Sequence, residues 1–187
     1  WITERLLGVE YRISPESFFQ TNTLQAERLF EVVLEEASAQ GAGLVHDLYC
    51  GAGSISLLLA RSVDRVTGFE LSTEAVADAE ANALQNQITN ADFVAGDLAE
   101  TIAGVTERPD VLVCDPPRSG MHEKVVERVI ELGPARIVHV SCNAHTAARD
   151  LARLIHHGYD LVRARPVDLF PHTPHVECVF TLERSES

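Results

Sequence analysis

The sequence predicts an α/β domain with a mostly parallel central sheet and an antiparallel hairpin at its C-terminal edge. Three observations predict it. From residue 44 onward, short apolar runs alternate with segments of helical period, as successive βαβ units require. After residue 158 the pattern changes, and two β-type runs follow one another with no helix between them. At 187 residues the chain is long enough for one full core and too short for two large domains.

The elements follow in order. Residues 1–20 read as the trailing segment of an upstream domain plus a lead-in, because "WITERLLGVEYR" starts in mid-pattern without an initiator Met, a basic leader or an apolar signal core. Residues 21–187 form the domain proper, opening on an amphipathic helix in "NTLQAERLFEVVLEEASAQG". "GLVHDLYC" is the first strand and "SISLLLARSV" the helix after it. "RVTGFEL" is the second strand, and "STEAVADAEANALQN" a helix with Ser72 or Thr73 as N-cap and Glu74 in its first turn. "ADFVAGD" is the third strand, "PDVLVCDPP" the fourth, and "HEKVVERVIEL" a helix. "ARIVHVSC" is the fifth strand, leading into the helix "AHTAARDLARLIHHG", closed by Gly158. "YDLVRARPVDLF" and "HVECVFTLER", joined by "PHTP", make the terminal hairpin.

Composition excludes several classes. No apolar run approaches the roughly 20 residues of a membrane helix. The formal net charge of −13 is opposite in sign to that of a free-standing nucleic-acid binder, whose affinity comes from phosphate contacts. Cys50, Cys114, Cys142 and Cys178 are scattered, so a disulfide framework is not expected and the setting reads as reducing and cytoplasmic. His156, His157, His172 and His175 have no partnering cysteines; no metal site is expected, and these read as solvated or loop histidines. A monomer is expected.

The chemistry concentrates at one edge of the predicted sheet. "DLYCGAGSIS" puts a Gly-x-Gly between the first strand and its helix, where the backbone must turn sharply and can approach a ligand closely. Asp47, Glu70, Asp97 and Asp115 fall near the carboxyl ends of successive strands, the edge where open parallel sheets bind ligands. A carboxylate row suits a ligand with ribose hydroxyls, an exocyclic amine and a positive centre, such as S-adenosylmethionine, better than it suits a pyrophosphate. Helix N-capping accounts equally well for one or two of the four. In "CDPPRSG" the proline after Asp115 forces that residue out of helical geometry and makes a rigid turn, of the kind found in enzymes that methylate a planar base.

"FFQTN", "DLYCGAG", "DPPRSG", "SCNAHT" and "DLFPHTPHVE" together resemble, in order and spacing, the motifs of the RNA uracil-5-methyltransferases. The resemblance covers essentially the whole chain and corresponds to that family's C-terminal catalytic domain. It implies a Rossmann-like S-adenosylmethionine-dependent methyltransferase fold and a uridine in rRNA or tRNA as substrate. Carbon 5 of uracil is a poor nucleophile, so a thiolate adds to carbon 6 and a base later removes the carbon 5 proton. By resemblance Cys142 is the nucleophile and Glu177 the base. Gln20, Tyr49, Gly51, Ser54, Glu70, Asp97 and Asp115 match cofactor positions, and Arg118 is placed on the substrate. Cys142 stands just before a helix, whose N-terminal dipole is expected to lower its pKa.

Bland readings stand beside these. Glu177 is equally an edge-strand carboxylate facing solvent, Tyr49 a core aromatic, Gln20 a residue on the approach to a helix, and the other three cysteines packing residues. Ala144 replaces the proline usual after "SCN" and is expected to loosen the loop that holds Cys142. The family's N-terminal RNA-binding β-barrel has no counterpart here, which accounts for the acidic charge; RNA is expected to be gripped mainly by such a domain. Two other functions remain open: methylation of an exocyclic amine on a nucleobase, which needs no cysteine, and a non-catalytic module that only binds S-adenosylmethionine.

Overall fold

A computed structural model describes residues 1–15, 17–37 and 42–185. An N-terminal hairpin, β1 (Ile2–Leu6) and β2 (Val9–Ile13), precedes helix α1 (Thr23–Ala37). The Rossmann-like run follows: β3 (Leu44–Leu48), α2 (Ser54–Leu59), β4 (Arg65–Glu70), α3 (Thr73–Gln85), β5 (Ala91–Ala95), α4 (Leu98–Thr101), β6 (Val111–Cys114), α5 (Glu123–Leu132), β7 (Arg136–Ser141) and α6 (Ala144–His156). Strands β8 (Tyr159–Val167) and β9 (Glu177–Arg184) complete it. Each strand and helix predicted from residue 22 onward is present, with shorter bounds; residues 38–41 of the first predicted helix lie outside the described residues.

The seven-stranded sheet runs β5-β4-β3-β6-β7-β9-β8. The first five of these strands are parallel, and β9 enters antiparallel between β7 and the edge strand β8. From β3 the chain winds outward through β4 and β5, then returns to lay β6 on the other side of β3. The strand order therefore reverses between β3 and β6, and a crevice opens beyond their carboxyl ends.

Both faces of the central strands are covered, so β6 and β7 are largely apolar and divide their side chains between the two faces by alternation. Val111, Val113, Val138 and Val140 join one core cluster with α1 and α2; Leu112, Cys114 and Ile137 join the other with α5 and α6. Helix α1 turns Leu29, Phe30 and Val33 into the first cluster. Each such buried side chain contributes roughly 1.5–3 kcal/mol relative to exposure.

Residues 1–20, for which no element was predicted, share this core. Leu7 and Gly8, both at positive φ, make the two-residue turn of the β1–β2 hairpin. Leu6, Val9, Tyr11 and Ile13 are buried in the first cluster. Helix α3 binds β2 as a neighbouring strand would. Asn82 accepts from Arg12 N–H at 2.7 Å and donates to Arg12 O at 3.1 Å; one turn on, Asn86 does the same to Glu10 at 3.0 and 2.7 Å. A turn earlier, Asp78 accepts from Ser14 N–H and from the hydroxyls of Ser14 and Ser17 at 2.7–2.8 Å. Three side chains at helical spacing thus fix the path into Phe18, Phe19 and Gln20.

Candidate active site

The crevice at the strand-order reversal is an open cleft of about 390 Å3. Its lining includes Phe18, Gln20, Asp47, Tyr49, Gly51, Ser54 and Asp115, and so brings together five of the seven residues matched to cofactor positions. Glu70, a sixth, stands at the end of β4, where its carboxylate accepts from Gly51 N–H and Ser72 N–H, both at 3.0 Å. The two N–H groups fix the carboxylate beside the glycine turn and leave lone pairs free on both oxygens.

Asp97, the seventh, is exposed, and its carboxylate caps α4 by accepting from Ala99 N–H at 2.8 Å. Helix capping therefore accounts for Asp97, as the sequence allowed for one or two of the acids.

The turn after β3 is shaped for close approach. Tyr49 holds φ +64°, a left-handed conformation uncommon for a non-glycine residue, and Gly51 and Gly53 follow with positive φ. A Cβ on Gly53 would meet Ala79 Cβ and the Phe93 ring at 3.2 Å, so only glycine lets α2 start there. Tyr49 is half-buried; its ring lies beside the second core cluster while it lines the cleft, so packing and lining coincide in one side chain.

Asp47 was placed in the acidic row but not among the contact residues, and the structure gives it a marked position. It is 1% exposed, its Oδ2 accepts from Ser56 Oγ at 2.5 Å, and its Oδ1 has no partner. Burial pushes its carboxyl up to about 7 against the Ser56 hydrogen bond, with the charge of Glu70 adding to the rise. Burial likewise pushes Asp115 up to about 7, helped by Glu177 and Asp47. These carboxylates are close enough to raise one another, and Arg118 acts on Glu177 alone of them to oppose the rise.

Cys142 and Glu177 come close to one another at the end of the β7–β9 pairing. The antiparallel pairing of β7 with β9 sets Ser141 opposite Cys178, so one step further along the register Cys142 faces Glu177. Glu177 is 7% exposed rather than an edge carboxylate facing water, because β8 covers it on the other side, with Val167 opposite. Burial raises its carboxyl, opposed by Arg118. Arg118 is exposed and lies 3.1 Å, Nη2 to Nδ1, from His175, a contact the sequence did not signal.

The Cys142 thiol is raised, not lowered as expected from the helix dipole. Burial is the main cause and Glu177 the next, and together they outweigh Arg118. Asn143 is the N-cap of α6, so Cys142 stands one residue outside the helix, where the dipole has less purchase. The loop is also held without a proline at position 144. Ser141 Oγ bonds both Asn143 O and Asn143 N–H at 3.1 Å, bracketing Cys142, and Asn143 Oδ1 accepts from His145 N–H at 3.0 Å. The other thiols differ: Cys50 and Cys114 are buried, and burial pushes both well up.

A family model described as tRNA (Uracil-5-)-methyltransferase matches residues 3–185. A Clostridium tetani protein described as an uncharacterized RNA methyltransferase is 43% identical over 187 residues, covering 100% of this chain and 41% of its own. The chain spans about two-fifths of the length of the curated relatives it matches. Among solved structures, the Pyrococcus abyssi tRNA (uracil-54, C5)-methyltransferase in complex with S-adenosyl-L-homocysteine superposes with a TM-score of 0.85 at 37% identity, covering 97% of this chain and 44% of that one. The Geobacter metallireducens precorrin-6y C5,15-methyltransferase, at 16% identity and TM-score 0.73 over 93% of this chain and 94% of its own, shares the fold.

Proposed function

Because the chain belongs to the tRNA (uracil-5-)-methyltransferase family, we propose that it transfers a methyl group from S-adenosylmethionine to carbon 5 of a uridine in RNA, through a covalent adduct of Cys142 at carbon 6. The observation that carries the proposal is that Cys142, Glu177, Arg118 and Asp115 lie close enough to act on one another electrostatically, and that Asp115 also lines the cleft with Asp47, Tyr49 and Gly51.

The cleft fits the cofactor. An unpartnered buried Oδ1 on Asp47, the fixed carboxylate of Glu70 and an adjoining glycine turn offer acceptors for an ammonium group and ribose hydroxyls. Gln20, Tyr49, Ser54 and Asp115 complete the contact set we assign, with Asp97 an outer contact through its free carboxylate oxygen. When bound, S-adenosylmethionine supplies an electrophilic methyl group on a positively charged sulfur. Positive charge among these carboxylates favours their ionised forms, and it favours the Cys142 thiolate as Arg118 already does.

The remaining chemistry belongs to the protein. The Cys142 thiolate adds to carbon 6, and the ring electrons move to carbon 5 and oxygen 4. Once carbon 5 carries the methyl group, Glu177 takes the proton from it. That electron pair restores the double bond and expels the thiolate. Glu177 is suited to this step because burial raises its basicity, and the β7–β9 pairing, which ends at Ser141 opposite Cys178, supports its approach to Cys142. Arg118 is assigned to the uracil oxygen or a neighbouring phosphate. The target base must leave its stack to enter between them.

Cytoplasmic RNA is the expected partner; among the described residues no helix is long and apolar enough to cross a membrane. The deciding experiment replaces Cys142 with Ala in the full-length protein and maps 5-methyluridine in cellular RNA by mass spectrometry, which also identifies the RNA and the position. Methylation should fall to background. Undiminished methylation would favour transfer to an exocyclic amine, and cofactor binding without turnover by the wild type on total RNA would favour a binding module.

A further inference from the structure

The segment that follows Asp115 is held almost entirely by side chains of α6. Arg118 O accepts from Asn143 Nδ2 at 3.2 Å, and the Thr146 hydroxyl lies at the same distance from it. Arg149 Nη2 donates to Ser119 O at 3.0 Å and to Met121 O at 3.2 Å, and Asp150 Oδ2 accepts from Met121 N–H at 2.8 Å. Asn143, Thr146, Arg149 and Asp150 are spaced at helical repeats, so one face of the helix reads the backbone of residues 118–121 in sequence.

The bracket is tight. Asp150 is 1% exposed; its Oδ1 binds Arg149 Nε at 2.9 Å and Nη2 at 2.7 Å, and His139, also 1% exposed, approaches its Oδ2 at 3.7 Å. Gly120 passes between them at φ +79°, and a Cβ there would strike the Arg149 guanidinium and lie 2.6 Å from Asp150 Oδ2. A fully buried carboxylate that engages both a guanidinium and a main-chain N–H is an over-determined joint, and breaking it leaves a buried charge short of partners.

Cys142 stands immediately ahead of this helix, Arg118 lies on the segment it grips, and Asp115 stands three residues before it. We propose that the Arg149–Asp150 pair is a positioning unit for methyl transfer, which sets the Asp115–Arg118 segment against Cys142 so that uracil is held between sulfur and methyl donor. The inference rests on the uracil reading above and adds to it residues that touch neither substrate nor cofactor. A misplacement of about 1 Å between reacting groups can cost on the order of 100-fold in rate.

The test uses the full-length protein with Arg149→Ala, Arg149→Lys and Thr146→Val. Three readouts separate positioning from folding: calorimetric affinity for S-adenosylhomocysteine, kcat for methylation at saturating cofactor, and the rate of covalent trapping by 5-fluorouridine-substituted RNA. Fluorine at carbon 5 leaves Glu177 no proton to take, so the Cys142 adduct persists. Arg149→Ala should lower kcat and the trapping rate by roughly 100-fold with S-adenosylhomocysteine affinity within about threefold. Arg149→Lys should recover part of the loss, and Thr146→Val, which leaves the bracket intact, should lose only severalfold. Rates within about threefold of wild type in Arg149→Ala would overturn the proposal, as would a loss of cofactor affinity or thermal stability that accounts for the lost rate. If Arg149→Ala does not fold, a wild-type rate in Arg149→Lys, which lacks the fork, overturns it equally. A wild-type protein that neither methylates nor traps would instead remove the uracil reading itself.

Discussion

The two ends of the crevice are built by different means. At the β3–β6 end the chain sets its groups locally: a glycine turn, a strand-end carboxylate and two backbone N–H groups lie within one βαβ unit, and Glu70 meets Gly51 only 19 residues away in sequence. At the β7–β9 end, Cys142 and Glu177 meet because an antiparallel strand is inserted between β7 and β8, and α6 ties the Asp115–Met121 segment to the nucleophile. The first end presents buried acids awaiting a cation. The second presents a raised thiol beside a raised carboxylate, with Arg118 as the local cation. Cofactor binding and bond-making should therefore fail separately under mutation.

The largest separation is expected for Glu177→Gln. Loss of a positioned general base costs roughly 10²–10⁴-fold in rate. Because the base acts after thiolate addition and methyl transfer, enzyme and RNA should accumulate as a covalent species that survives a denaturing gel, with S-adenosylhomocysteine affinity unchanged. Absence of the adduct despite lost turnover would remove the base assignment. Since burial raises the Glu177 carboxyl, the acid limb of the wild-type rate profile should lie above the ordinary glutamate value of about 4.3 and reflect that shift.

Asp47→Asn probes the other end, first through stability. The folded-state pKa is about 7 against an ordinary value of 3.8, so between these pH values the unfolded chain has released a proton that the folded chain keeps. Stability contributed by this group is complete below about 4 and is lost as pH rises through about 7. Asn carries no such charge. In chemical denaturation without cofactor, the variant should match wild type below about pH 4 and exceed it at pH 8 by on the order of 2–4 kcal/mol. It should also bind S-adenosylmethionine and S-adenosylhomocysteine less tightly, since both carry the ammonium and ribose groups that the acids are assigned to hold. Equal stability at both pH values would mean that Asp47 is ionised in the free protein.

The same division explains what the sequence made legible. The order of strands and helices, the Gly-x-Gly turn and the strand-end acids follow from periodicity and local chemistry, and among the described residues after 21 every predicted strand and helix formed, with the short α4 added. Cys142 and Glu177 were recognisable by resemblance, yet nothing local showed that Glu177 would be buried; its cover, Val167 on β8, comes from a register that only the assembled sheet defines. The rise of the Cys142 thiol was missed for the same reason, since its burial and the approach of Glu177 both arise only when the sheet is assembled. The N-terminal hairpin escaped because "TERLLGVEYRI" has charged residues on the exposed face and its partner is α3, whose asparagines look like ordinary surface residues in sequence. Arg149 and Asp150 carry no signal in the sequence, because their partners are the backbone of residues 118–121, brought to them only by the fold.

Those asparagines give the smallest effect and the finest control. Asn82 and Asn86 make the same two-bond amide pairing to β2, but Asn82 is fully buried and also donates to Ala52 O in the cleft at 3.2 Å, while Asn86 is half-exposed. Truncating a buried partner leaves groups that water cannot reach, at a cost of about 1–3 kcal/mol, whereas the exposed bonds exchange with water and contribute less. Asn82→Ala should therefore cost about 1–3 kcal/mol of stability and Asn86→Ala under about 1 kcal/mol, measured by chemical denaturation. Only Asn82→Ala should also weaken S-adenosylhomocysteine binding, by a few-fold, because it alone connects the hairpin to the turn from Cys50 to Gly53. Neither should change the fraction of bound RNA trapped on Cys142. Equal costs at the two positions would mean that the amide zipper stabilises the hairpin without reaching the cleft, and that residues 1–20 serve the core alone.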